Sequence, residues 1–164
     1  MTAPLHITFV CTGNICRSPM AEHIVAAAVE QAGLADEVRV DSAGTGSWHV
    51  GDPADDRARA ELRKGGYDDT HSAAVLGPEH DDADLFVALD SGHRRALARR
   101  GDGDRTRLLR SFDPDADGDD LDVADPYYGD ADDFAVVRDQ VEAATPGIVD
   151  WIREQVRTRP DPAR

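Results

Sequence analysis

Residues 5 to 19 read Leu-His-Ile-Thr-Phe-Val-Cys-Thr-Gly-Asn-Ile-Cys-Arg-Ser-Pro, and one secondary structure gives way to another inside that stretch. Leu5 to Val10 is a continuous apolar run rich in β-branched residues, as expected of a strand buried on both faces. Ser18-Pro19 then offers an N-cap and a proline at the first helical position. Met20, Ile24 and Ala28 follow at helical spacing until Gly33 ends the pattern. A buried strand therefore enters a helix through a short loop that begins at Cys11.

The same alternation continues down the chain. Val38 to Ala43 reads as a second strand, and Asp52-Pro53 as the opening of a helix that runs through Leu62 to Gly65-Gly66. Asp84 to Leu89 is a third strand, followed by a helix capped by Ser91 and stopping near Gly101. Thr106 to Leu109 is a short fourth strand, and an acidic loop spans Phe112 to Asp130. Phe134, Val137, Val141, Ala144, Ile148 and Trp151 are spaced three and four apart, which predicts a long amphipathic helix that Pro146-Gly147 should kink or break. Strands alternating with helices predict an α/β protein with a parallel sheet covered on both faces. The economical arrangement is a single flavodoxin-like domain over residues 1–157, with four strands in the order 2-1-3-4 and a frayed tail at 158–164. Ligands of such sheets bind beyond the carboxyl end of the first strand, where Cys11 lies.

Composition limits the partners. The 164 residues carry a net charge of −15, which repels nucleic acid backbones and anionic membranes. No apolar run is long enough to cross a bilayer, and the start lacks the basic and long apolar segments of a signal peptide, so a cytoplasmic monomer is expected. The two cysteines, Cys11 and Cys16, have no companions that complete a zinc site.

The Cys11–Pro19 segment suits a phosphate monoester. A loop entering a helix offers converging backbone N–H groups and the positive end of a dipole. Gly13 permits unusual dihedrals and close approach, and Asn14 tolerates the left-handed region. Arg17 can hold two phosphate oxygens with its planar guanidinium. Cys11 lies under the phosphorus, where the same donors favour a nucleophilic thiolate. Cysteine and arginine six apart are weak evidence in isolation; between a buried strand and a helix start they are much stronger. The glycine-rich loop of nucleoside triphosphatases is absent.

At these residues the chain resembles the low-molecular-weight protein tyrosine phosphatases. CTGNICRSP matches their phosphate loop, Thr12, Gly13, Asn14, Ile15, Cys16, Arg17 and Ser18 included, and the likeness extends to DSAGTGSWHVG at 41–51, LDSGHRRAL at 89–97 and DPYYG at 125–129. The resemblance implies hydrolysis of phosphotyrosine on proteins, release of inorganic phosphate, and no metal or organic cofactor. Among 33 acidic residues it selects Asp125 as general acid. Pro126 extends the backbone there, and Tyr127 and Tyr128 supply an aromatic wall. The matches further imply that Asn14 and Ser18 support the thiolate with His71 joining them. Trp48 and Tyr127 are expected as the faces of a slot for an aryl ring with His49 on its rim, although core packing is the plainer reading of a tryptophan. Cys16 is read as a redox partner that traps oxidised Cys11 as a disulfide.

Several rivals fare less well. Asp113 to Asp119 imitates half a calcium loop, but Ala124 stands where the bidentate glutamate belongs. Relatives acting on phosphoarginine carry a polar threonine where this chain has Ile15. An arsenate reductase needs relay cysteines beyond Cys16. A phosphotyrosine-binding module without turnover would lose Cys11 or Asp125. Two departures from the family pattern, SAAVL after His71 and Gly92-His93, put the contacts behind the site in question.

Overall fold

The computed structural model describes residues 3–159. Four parallel strands form one sheet in the order β2-β1-β3-β4: β1 (Leu5–Cys11), β2 (Val38–Gly44), β3 (Leu85–Ala88) and β4 (Thr106–Leu108). The expected topology is therefore the observed one. β1 is central, with Ile7 in register with Val40 of β2 and Leu85 of β3.

Four α-helices cover the sheet: α1 (Arg17–Gln31), α2 (Asp56–Lys64), α3 (Ser91–Arg99) and α4 (Ala131–Thr158). Side chains alternate across a strand, so β1 and β3 feed two cores. Ile7, Phe9, Leu85 and Val87 pack with α1, α2 and α4, whereas Val10, Phe86 and Ala88 pack with Leu97 of α3. Every residue of β1 is buried, which explains its unbroken apolar reading.

Several expected boundaries move, each for a local reason. Cys16, not Ser18, occupies the N-cap of α1, because the Ser18 hydroxyl is turned into the phosphate loop. α2 begins at Asp56 rather than Asp52-Pro53: the Asp52 carbonyl is taken by the Ala73 amide, and the Asp55 side chain caps the helix by accepting from Arg57 N. Asp90 caps α3, while Ser91 donates instead to Asp122 through both its amide and its hydroxyl. Pro146-Gly147 does not break the last helix. α4 runs uninterrupted, with the Thr145 hydroxyl donating to Val141 O at 2.7 Å. Packing of Val141, Ala144, Ile148 and Ile152 outweighs the lost proline hydrogen bond. Gly147 lies against the Phe112 carbonyl, where a side chain would collide.

α4 ends at Thr158, and residues 160–164 of the expected tail lie outside the described residues. Among the described residues no helix is long and apolar enough to cross a membrane, and no three acidic, histidine or cysteine side chains gather to hold a metal ion. In the calcium-like stretch, Asp113 and Asp117 accept the backbone amides of Asp115 and Asp119.

Candidate active site

Cys11 closes β1 and Arg17 opens α1, so the loop between them sits at the sheet's switch point. The left-handed turn is made by Asn14, at φ 58°, and not by Gly13. What Gly13 provides is closeness, since a Cβ there would stand 2.9 Å from the His49 ring.

Asn14 is the hub that holds the loop, fully buried. Its Oδ1 accepts from Ala74 N at 2.8 Å, and its Nδ2 donates to Ser18 Oγ at 2.8 Å and Ser42 Oγ at 2.9 Å. The Ser42 hydroxyl in turn donates a hydrogen bond to Glu22, whose carboxyl burial pushes above the usual range. Ser18 already accepts from Asn14, so its hydroxyl proton is free to point at Cys11 Sγ, 2.8 Å away. An O–H aimed at sulfur favours the thiolate. The Asn14 carbonyl is fixed in turn by His71 Nε2 at 2.7 Å. Burial lowers the pKa of His71, so the neutral ring donates from Nε2.

The loop's own amides are the decisive feature. Among the described residues, no backbone N–H from Thr12 to Ser18 donates to a protein acceptor. They leave a run of unpaired donors at a helix N-terminus, in a segment that lines the cavity beside Cys11, a setting suited to tetrahedral anions.

Arg17 is 3% exposed and does not swing freely. Its Nη1 donates to Asp90 Oδ2 and to the Val123 carbonyl, both at 2.8 Å. Its Nη2 faces Asp125 Oδ2 at 3.7 Å. Burial alone would raise the Asp90 pKa, but the hydrogen bond from Arg17 holds that carboxyl below its usual range. Asp125 stands on the exposed loop above, with Oδ1 accepting from Tyr127 N at 3.1 Å.

These groups share a cavity of about 460 Å³, with Cys11 and Arg17 at its base and Asp125 at its mouth. Ile15, Cys16, Trp48, His49, Tyr127 and Tyr128 also line it. Trp48 is 74% exposed, so core packing is ruled out for it. Trp48 and Tyr127 both line the cavity, and the His49 ring lies 6.4 Å from that of Tyr127 between centroids. Cys16 is buried, and its thiol pKa is driven up by desolvation and then by the Asp55 charge. Both cysteines are free thiols.

Asp90, Ser42, Glu22 and His93 also belong to the site, though none was expected there. His93, one of the departures from the family pattern, is buried and bonds Thr12 Oγ1 through Nε2 at 2.9 Å. Burial and the Arg17 charge push its pKa down to about 4. The signal available beforehand was the LDSGHRRAL stretch, which carries both Asp90 and His93.

Comparison with known proteins agrees with this geometry. The pattern of the low molecular weight phosphotyrosine protein phosphatase family matches residues 6–158. A low molecular weight protein-tyrosine phosphatase A of Mycobacterium tuberculosis is 55% identical over 157 residues, 95% of this chain and 96% of its own. A protein tyrosine phosphatase from Entamoeba histolytica, crystallised with Hepes in its active site, superposes with a TM-score of 0.86 at 29% identity, over 93% of this chain and 99% of that one. An arginine phosphatase from Geobacillus stearothermophilus superposes at 0.80 with 32% identity, over 96% and 99%.

Proposed function

The chain belongs to the low molecular weight phosphotyrosine protein phosphatase family, and from that premise we propose that residues 11–18 and Asp125 together hydrolyse phosphotyrosine through a phosphocysteine intermediate. The observation that carries the assignment of roles is the run of unpaired amides beside Cys11, which with the Arg17 guanidinium would ring a bound anion.

The dianion binds against those amides with Arg17 spanning two of its oxygens. Cys11 sulfur attacks phosphorus in line, an S–P bond forms, and the bond from phosphorus to the phenolic oxygen breaks. Asp125 gives its proton to that oxygen. The Asp125 carboxylate then takes a proton from water, which attacks phosphorus and expels Cys11. Inorganic phosphate leaves, and the Ser18 hydroxyl stabilises the returning thiolate. Asn14 and His71 keep the loop in the shape this needs. Cys16 lies in the same cavity wall, in keeping with disulfide capture of oxidised Cys11.

Depth and lining favour an aryl substrate. Cys11 is 3% exposed at the cavity floor, so a short phosphoserine reaches it poorly while a phosphotyrosine does not. Ile15 gives the wall an apolar surface rather than a partner for a guanidino group, which favours phosphotyrosine over phosphoarginine. The partners we infer are tyrosine-phosphorylated proteins, and a monomer suffices because every group named comes from one chain. Phosphotyrosine, phosphoserine and phosphoarginine peptides assayed side by side test this reading. Vanadate-sensitive turnover of phosphotyrosine well above the other two is expected; equal or greater turnover of phosphoarginine would defeat it.

A further inference from the structure

General acid catalysis needs the carboxyl within hydrogen-bond reach of the leaving oxygen, directly above Cys11. Buried Val123 and Pro126 anchor the loop on either side of Asp125, but Asp125 itself is 47% exposed and Tyr128 beyond it 92%. Core packing therefore fixes the loop only in part, and the exposed turn after Pro126 needs a further anchor. The loop's end is fixed to α4, where Asp130 and Asp133 cap each other's backbone. Its middle is fixed by a residue from another element altogether.

We propose that Asp55 and Arg57 form a strut between the phosphate loop and the acid loop, and that Arg57 is a positioning residue for Asp125. The strut begins at the phosphate loop, where Asp55 N donates to the Ile15 carbonyl at 2.8 Å. The Asp55 carboxylate then grips Arg57 with both oxygens: Nε to Oδ1 at 3.0 Å and Nη2 to Oδ2 at 3.0 Å. That fork fixes the guanidinium plane. Its outer edge donates to the acid loop, Nη2 to the Tyr127 carbonyl at 3.0 Å and Nη1 to the Gly129 carbonyl at 2.9 Å. Its face lies 4.5 Å over the ring of Phe134, a fully buried residue in the first turn of α4. One planar group thus ties two carbonyls of the acid loop to the segment whose Asp55 amide holds the Ile15 carbonyl. A lysine has neither the fork nor the flat face to do this. Arg57 touches no reacting atom in this arrangement, and its effect runs through Asp125.

The inference rests on Asp125 being the general acid, and the test separates the two claims. For the whole chain, kcat/KM is measured on aryl phosphates of graded leaving-group pKa, because it reports the step that expels the phenol. Arg57→Ala should lower it about 10- to 100-fold for the poorest leaving group, within the 10²–10⁴ that a general acid supplies. It should lower it less than about threefold for nitrophenyl phosphate, which needs little protonation. Vanadate affinity should stay within about twofold, because the run of amides is untouched. In an Asp125→Asn background, Arg57→Ala should change kcat/KM less than about twofold, as expected when one residue acts only through another. A loss of equal size across all leaving groups, or a full loss on top of Asp125→Asn, overturns the strut. Should Arg57→Ala not fold, Arg57→Lys replaces it: an intermediate leaving-group dependence supports the strut and wild-type behaviour overturns it. If Asp125→Asn itself shows no leaving-group dependence, the acid assignment fails and the strut falls with it.

Discussion

Strand β1 carries a polar cluster at each end, and the two are built from the same kinds of residue. At the amino end, His6 is buried with Nε2 on Asp41 at 2.9 Å and Nδ1 on Asp82 at 2.8 Å, while Thr8 donates to Asp41 at 2.6 Å. Carboxylates only accept, so both ring nitrogens must donate and the ring is an imidazolium. The hydrogen bond to Asp41 raises its pKa, against the cost of burial. At the carboxyl end, His93 is also buried and His71 half-buried, yet desolvation holds both below the usual range and the rings stay neutral. The first cluster is closed, each donor satisfied by a fixed partner. The second leaves a run of amides without partners and a sulfur held only by the Ser18 hydroxyl, at a helix N-terminus facing a cavity. Histidine, acid and hydroxyl therefore make a structural pin where all donors are used, and a reaction site where some are left over.

The sharpest way to break this contrast is at the sulfur. Cys11→Ser should lower kcat on the order of 10⁴-fold or more, as loss of a nucleophile does in other hydrolases, while vanadate or phosphate still binds. Near-normal turnover in that variant would remove Cys11 from its role. Next comes Asp125→Asn, with a fall of about 10²- to 10⁴-fold that is greatest for poor leaving groups; a plot of rate against leaving-group pKa reads it directly.

At the other end, His6→Ala should leave kcat within about twofold but cost about 2–4 kcal/mol of stability, since it strips a buried partner from Asp41 and Thr8. Urea titration measures the loss, and the activity assay checks that the ends are separable.

Acidity should move the two ends in opposite directions. His6 has a raised folded pKa, so its contribution is complete below about pH 6.5, its unfolded value, and is lost as pH rises through the folded one. His93 has a depressed folded pKa, so its contribution is present above about 6.5 and lost as pH falls toward 4. Between pH 7 and 5 the His93 share is about 1–2 kcal/mol. Denaturation curves of His93→Asn should be flatter than wild type on the acid side, and those of His6→Gln flatter on the alkaline side. Smallest is Ile15→Thr, which should shift the ratio of phosphoarginine to phosphotyrosine turnover upward by a few-fold, roughly the effect of one wall contact; an unchanged ratio would remove Ile15 as a selector.

Legibility in the sequence followed the range of the forces involved. The strand, the loop and the helix that follow one another from Leu5 to Gln31 were readable because their pattern lies in consecutive residues. Helix starts were misread at Asp52 and Ser91 because distant groups claimed that carbonyl and that side chain, and at Ser18 because Asn14 and Cys11 of its own loop claimed the hydroxyl. The proline in α4 was misread because packing along the whole helix exceeds one missing hydrogen bond. Asp125, one acid among 33, was singled out by its motif, since abundance alone could not select it.

By itself, then, the order of residues singled out Cys11 and Arg17 as the ends of one short loop, since a loop between a buried strand and a helix has few conformations that leave its amides free. Only the tertiary structure decided that Asp90 holds Arg17 from across the sheet, that His6 is charged and His93 neutral, and that Arg57 links the two loops. Those outcomes depend on which groups meet from far apart in the chain and on how much water the meeting excludes, and neither is written in any single segment.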